Sequence, residues 1–318
     1  MKCKNILVTG GLGFIGFNAL QLWKREKPHY NYIVIDCETY AAYYKIDEKR
    51  NWLLKNNIPC FKCNICDEFS VEGLITQYKI DTIVNFAAES HVDNSISGPN
   101  IFFQTNIIGT TVLLNLAKKY DLRFHQIGTD EVYGETTPND WLYLKDNELP
   151  AIKPSSPYSS SKVSAELIAL SYFRTFNTKV SVSRCSNNFG PFQHTEKLIP
   201  TVINKINNNE KIPVYGNGTQ KRHWIYVDEH NRIIMNILEC GQPGIIYNIA
   251  PLHDNYLTNI ELIKFILDYC QKPHTLINYI TDRPGHDVSY YMEANYDFCN
   301  SNKHWKDDMI TTINFYLN

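Results

Sequence analysis

The stretch Asn5 to Gly16, "NILVTGGLGFIG", does most to limit the fold. A short apolar run passes directly into Gly10, Gly11, Gly13 and Gly16, and helical spacing of apolar residues follows from Phe14 to Lys24. Strand, glycine turn and helix in succession make a unit whose helix folds back over its strand. The pattern recurs. Apolar, β-branched segments at 32–36, 58–63, 81–88, 122–129 and 179–184 read as buried strands, and 69–78, 101–120 and 159–176 are long enough to be the intervening helices. This alternation predicts an α/β fold, a doubly wound parallel sheet of Rossmann type.

After Arg184 the rhythm breaks. Residues 185–222 are rich in Asn, Gly and Pro, a helical segment at 228–238 leads to a strand at 244–250, and helix and loop patterns dominate beyond Pro251, with a short strand near 276–280. We expect residues 1–184 plus about 223–250 to form the dinucleotide-binding domain. Residues from about 185 to 222 plus 251–318 would form a smaller C-terminal α/β domain for the substrate.

The glycines satisfy G-x-x-G-x-x-G from Gly10 and G-x-G-x-x-G from Gly11. Glycine supplies the tight turn and lets backbone approach a pyrophosphate, and the N-H groups opening the next helix favour its negative charge. Gly10, Gly13, Phe14, Ile15 and Gly16 are therefore candidate cofactor contacts. Asp36 closes the second strand 20 residues after Gly16. An acid there accepts from ribose hydroxyls and repels a 2'-phosphate, which favours NAD over NADP.

Composition narrows the alternatives. With 318 residues, 43% of them hydrophobic, the chain has material for two cored domains. Its net charge of -2, with basic residues scattered, leaves no footprint for nucleic acid or an anionic membrane. No apolar run approaches the roughly 18 residues of a membrane span, and the N-terminus lacks the apolar core of a signal peptide, so the expectation is a cytoplasmic protein. Nine cysteines then read as reduced, mostly buried thiols. Cys60, Cys63 and Cys66 are spaced C-x2-C-x2-C, but a closed metal site needs a fourth ligand and only Cys37 is near, so no metal is assigned. Asn217-Gly218-Thr219 reads as a turn.

Two short motifs carry chemistry. Tyr158 and Lys162 stand four residues apart at the start of a helix, hence on one face. An ammonium beside a phenol stabilises the phenolate, which would let Tyr158 take a proton from a sugar hydroxyl. Upstream, "GTDEVYG" places Thr129, Asp130 and Glu131 where a strand ends. Adjacent acids in a desolvated site repel as anions, so one stays protonated while the other serves as base. The plainer alternatives are a surface Tyr-Lys pair and two acids capping a turn.

"TGGLGFIG", "FAAESHVDNSI", "TDEVYG", "PSSPYSSSK", "SNNFGP", "EKLIP", "VYGNG", "YNIA" and "DRPGHD", in this order over nearly the whole chain, resemble the nucleotide-sugar 4,6-dehydratases of the extended short-chain dehydrogenase/reductase class, especially those acting on dTDP-glucose. The resemblance implies oxidation at sugar C4 by NAD with Tyr158 as base, Lys162 as its electrostatic partner and ribose ligand, and Thr129 holding substrate. Glu131 would then remove the C5 proton and Asp130 protonate the departing C6 hydroxyl, before hydride returns to C6. It further implies cofactor contacts from Asn64, Ile65, Ala87, Ala88, Thr105 and Asn188. Substrate contacts would come from Ser90, Asn187, Lys197, Leu198, Pro213, Tyr215, Arg222, Asn248, Arg283 and His286.

Departures bear on the substrate. Asn64 stands where the family usually has Asp, "RHW" at 222–224 replaces Arg-Asp-Trp, and "HDVSYYM" replaces a more basic stretch. Thymidine and uridine nucleotides therefore both stay open, as do UDP-N-acetylglucosamine dehydration, an accompanying 5-epimerase activity, 4-epimerisation, and a silent dinucleotide sensor. Related enzymes pair helices into a four-helix bundle. A homodimer is expected on that ground, through helices carrying Leu113, Leu116, Leu167 and Leu170.

Overall fold

The computed structural model describes residues 4–141, 148–282 and 286–317. In chain order the first half holds β1 (Asn5–Thr9), α1 (Phe14–Glu26), β2 (Asn31–Asp36), α2 (Ile46–Lys55), β3 (Cys60–Lys62), α3 (Glu68–Tyr78), β4 (Thr82–Asn85), α4 (Val92–Ser97), α5 (Pro99–Phe102), α6 (Thr110–Lys119) and β5 (Arg123–Ile127). There follow α7 (Pro157–Phe176), β6 (Lys179–Cys185), β7 (Asn187–Phe189), α8 (Leu198–Asn207), β8 (Ile212–Tyr215), β9 (Lys221–Tyr226), α9 (Val227–Cys240) and β10 (Ile246–Pro251). The chain closes with β11 (Tyr256–Thr258), α10 (Asn259–Tyr269), β12 (Ile277–Ile280), β13 (Ser289–Tyr290), β14 (Asn300–Ser301) and α11 (Trp305–Leu317).

Eight strands form one parallel sheet in the order β14-β10-β6-β5-β4-β1-β2-β3. Its strands are buried on both faces because both are covered, and the polar residues among them, such as His125 and Ser183, hydrogen-bond to one another. Trp23, Phe17 and Leu238 pack on one side. Leu74, Leu113, Leu116 and Ala169 pack on the other. The order reverses between β1 and β4, and this switch point opens a crevice at the carboxyl ends of the strands. Gly10 and Ala87 follow those two strands.

The smaller part is built on β9, which pairs with β7, β11 and β13. A separate parallel pair joins β8 and β12. The strand β9, through Tyr226, belongs to this small sheet, so the chain re-enters the large one only with β10. The Asn-rich region also contains a helix, α8, whose Ile199, Val202, Ile203 and Ile206 are buried at helical spacing.

The expected single helix over 101–120 is interrupted. Residues 103–109 form a π-helix, a wider turn that points Asn106 inward. Its amide donates to the Glu89 carbonyl at 3.0 Å and to Ser161 Oγ at 2.8 Å, tying the loop after β4 to α7. Leu113 and Leu116 are buried within this chain, whereas Leu167 is half exposed, so the first two serve the monomer's own core. The predicted turn is present, with Gly218 at φ +74° and Asn217 Oδ1 accepting from Thr219 N at 3.1 Å. Among the described cysteines all are free thiols, with Cys63, Cys185 and Cys299 buried and Cys240 exposed.

Candidate active site

The crevice begins where β1 ends. Gly10 has φ +66°, and a Cβ there would lie 2.7 Å from the Ala87 backbone nitrogen; at Gly16 it would lie 2.5 Å from the Gly10 carbonyl oxygen. Only glycine permits this turn. Gly13 enters α1 in an extended conformation without a side-chain cap, which leaves the amides opening the helix available to an anion. Asp36 Oδ2 accepts from Leu12 N at 3.0 Å and Oδ1 from Glu38 N at 2.8 Å, and burial raises the carboxyl above its ordinary value. Asp36, Asn64, Ile65, Ala87 and Thr105 line one end of the cleft, sharing Gly10, Gly13 and Ala88 with the other end. A glycine cradle against backbone, uncapped amides and an acid at the end of β2 fit a dinucleotide of the NAD type.

The other end is the chemical one. The Thr129 hydroxyl caps the turn formed by residues 130–133, accepting from Glu131 N at 3.3 Å and donating to Asp130 Oδ1 at 3.2 Å. Thr129, not the acids, therefore closes the turn. Asp130 is buried and its Oδ2 has no protein partner. Burial first, and the neighbouring charge of Glu131 second, push the Asp130 carboxyl up to about 7. Asp130 therefore keeps its proton to a higher pH than an exposed carboxyl does.

Pro157 and a reciprocal Ser156–Ser159 box start α7, so Tyr158 and Lys162 enter the cleft from its first two turns. The Tyr158 phenol faces the Thr129 hydroxyl, and its ring meets that of Phe102 edge-on at 6.3 Å. The expected drop in the phenol's pKa is absent. Burial and the charge of Glu131 hold Tyr158 well above the ordinary value. Lys162, itself drawn down to about 8 by burial, donates instead to the Ile127 carbonyl at 2.6 Å.

A family model, GDP-mannose 4,6 dehydratase, matches residues 7–295. The chain belongs to that family. It is 35% identical over 318 residues to a dTDP-glucose 4,6-dehydratase of Mycobacterium tuberculosis, an alignment covering 98% of this chain and 92% of that one. An Escherichia coli dTDP-glucose 4,6-dehydratase is 38% identical over 319 residues, with 91% and 86% covered. Among solved structures, dTDP-glucose 4,6-dehydratase from Bacillus anthracis in complex with NAD superposes with TM-score 0.88 at 35% identity, covering 99% and 97%. DesIV, the Streptomyces venezuelae dTDP-glucose 4,6-dehydratase with NAD and TYD bound, gives 0.90 at 33%, covering 98% and 97%.

In this dehydratase-family cleft, Ser90, Asn187, Asn188 and Lys197 join the catalytic end, and Lys197 Nζ donates to the Ser90 carbonyl at 3.1 Å. Leu198 follows as the first residue of α8. Other predicted residues lie outside that lining, Arg222 and Asn248 just behind it. Pro213 and Tyr215 lie on β8, where the Tyr215 ring is 6.0 Å from His286, which contacts Asp282 Oδ1 at 2.6 Å. Arg222 lies buried on β9, its guanidinium 4.0 Å above the Tyr290 ring and donating to the Asp287 carbonyl at 2.9 Å. Asn248 is buried, accepting from the Tyr133 hydroxyl at 2.9 Å, so it holds the 130–133 turn from below. Arg283 falls outside the described residues.

Sequence reading missed three contributors. Tyr290 is raised by burial and then by Glu131, which marks it as a close neighbour of that acid. Its motif is the divergent one after His286. Glu196 borders the cleft beside His194, 3.6 Å away, and Lys197, 3.9 Å away. Beneath the site, Arg184 and Glu166 form a buried ion pair, with Arg184 also lying 4.6 Å from the centre of the Tyr133 ring. Residues 18 apart in sequence and on different elements leave no local signal for such a pair.

Proposed function

We propose that this chain is an NAD-dependent NDP-glucose 4,6-dehydratase. The observation that carries the proposal is the unequal acid pair, Asp130 protonated near neutrality beside Glu131, within one hydroxyl of Tyr158 and continuous with the glycine cradle. NAD+ held by the Gly10–Gly16 turn and Asp36 would accept a hydride from C4 and return it to C6. The Lys162 ammonium favours the Tyr158 phenolate that burial alone opposes.

Tyr158 takes the proton of the C4 hydroxyl, with the Thr129 hydroxyl orienting both. A ketone at C4 acidifies the C5 hydrogen, which Glu131 removes as base. Asp130, holding its proton, delivers it to the departing C6 oxygen. All the residues assigned as catalytic, cofactor-binding and substrate-binding from sequence enter this reading, Arg283 included.

The substrate is an NDP-hexose, dTDP- or UDP-glucose, its diphosphate met by Lys197 and Arg222. The relatives' names favour dTDP-glucose. The sheet-bearing part takes the cofactor and the part built on β8, β9 and β11 to β13 the nucleotide. A homodimer follows from the exposed apolar residues Ile96, Ile101, Ile108 and Leu167 on α4 to α7. Among the described residues no helix is long and apolar enough to cross a membrane.

Incubation with dTDP-glucose and UDP-glucose, read by mass spectrometry, should give a 4-keto-6-deoxy sugar without net NADH. Turnover of neither, or epimers that keep the C6 oxygen, would sink the reading. Light scattering showing only monomer at micromolar concentration would reject the dimer.

A further inference from the structure

We propose that Lys49 is a positioning residue for the cofactor, clamping the glycine loop to the 40–42 turn above the adenosine end of the cleft. Lys49 lies on α2, outside every motif used above, and its side chain is fully buried. Its ammonium donates to the Leu12 carbonyl at 2.7 Å and to the Ala42 carbonyl at 3.3 Å. Leu12 is gripped from the other side by Asp36, so an acid and a base hold one residue of the glycine loop at both its N-H and its C=O. Ala42 closes a single helical turn whose Ala41 lines both ends of the cleft.

Burying an ammonium costs desolvation that its hydrogen bonds offset only in part, so its place here calls for a role beyond filling the core. What the ammonium adds is a fixed link between two backbone segments that face the ligand, together with a charge favouring ionised Asp36, the ribose acceptor. The charged groups around it are Asp36 on β2, Glu48 on its own helix and His194 on the opposite wall. Glu38 acts on it through Asp36. Burial draws Lys49 down to about 8, so the link weakens as pH rises past that value.

The inference rests on reading the cleft as a dinucleotide site. The probe is ADP, which carries the adenosine and phosphates but not the nicotinamide end where Lys162 titrates, so binding by calorimetry from pH 7 to 9.5 reports Lys49 alone of the two. Wild type should lose ADP affinity above about pH 8. Lys49→Met should bind about tenfold more weakly at pH 7, the loss expected for a charged donor, and show no further fall with pH. Its ligand-free melting temperature should fall, because the Leu12 and Ala42 carbonyls and Asp36 lose their partner, so affinities are compared at a temperature where both proteins are folded. Lys49→Met, or Lys49→Gln where the Met variant does not fold, within twofold of wild type at pH 7 overturns the inference. Failure of wild type to bind ADP or NAD at all would instead remove the dinucleotide reading beneath it.

Discussion

The Lys162 ammonium lies 2.6 Å from the carbonyl oxygen of Ile127, the last residue of β5. The contact locks the start of α7 to the strand that presents Thr129, and so sets where Tyr158 stands. Lys162→Met removes both that lock and the charge the phenolate needs. Turnover of the NDP-hexose should fall by roughly 10²- to 10⁴-fold, the range for loss of proton-transfer assistance. Stopped assays by mass spectrometry measure it, and activity within tenfold of wild type would contradict the role.

Asp130 makes stability depend on pH in a defined direction. Its folded value, about 7, lies above the ordinary 3.8, so the folded protein holds a proton that the unfolded chain releases. Stability from this group is complete below about pH 3.8 and is lost as pH climbs through 7. Asp130→Asn cannot ionise. It should melt above wild type at pH 8, by on the order of 2 kcal/mol, and the gap should shrink by pH 5, while dehydration is lost. Melting curves at the two pH values read the sign directly.

Glu131→Gln should separate the two halves of the reaction. The Tyr158 step precedes any need for a base at C5, so NADH absorbance should accumulate on mixing with substrate while no 6-deoxy product forms. Wild type should show no such accumulation. Product formation by the variant at the wild-type rate would remove Glu131 from the chemistry.

Arg184 and Glu166 support the site without touching the cleft. Glu166→Gln leaves a guanidinium buried with half its partners, which should cost about 3 to 5 kcal/mol. Denaturant titration measures this. A loss under 1 kcal/mol would mean that Tyr133 and water compensate.

Gly134 ends the catalytic turn at φ +67°, and a Cβ there would sit 2.1 Å from the Lys153 carbonyl oxygen. Backbone cannot yield as a side-chain tip can. Gly134→Ala should therefore displace Asp130 and Glu131 as well as destabilise, by about 3 kcal/mol or more. Loss of activity at a temperature where circular dichroism still shows folded protein is the expected signature.

Local patterns were legible because their physics is local. The unbroken apolar runs of β1, β2 and β4 are written in consecutive residues, and the Gly10–Gly16 turn and the Tyr158–Lys162 spacing each fit within two helical turns. The α8 signal was also present, at Ile199, Val202, Ile203 and Ile206, but the surrounding Asn and Gly residues masked it. The π-turn at 103–109 had no such signal. It exists because Asn106 finds Glu89 and Ser161, partners 17 and 55 residues away.

What the residues by themselves determined is the kind of chemistry available: a glycine cradle, a phenol with a lysine, and two adjacent acids behind a hydroxyl. Only the tertiary structure decided their state. Burial lifted Asp130 toward neutrality, kept Tyr158 protonated, and turned Lys162 toward a carbonyl. A side chain's identity is carried by its codon, but its protonation follows from desolvation and from neighbours that folding brings together across the chain.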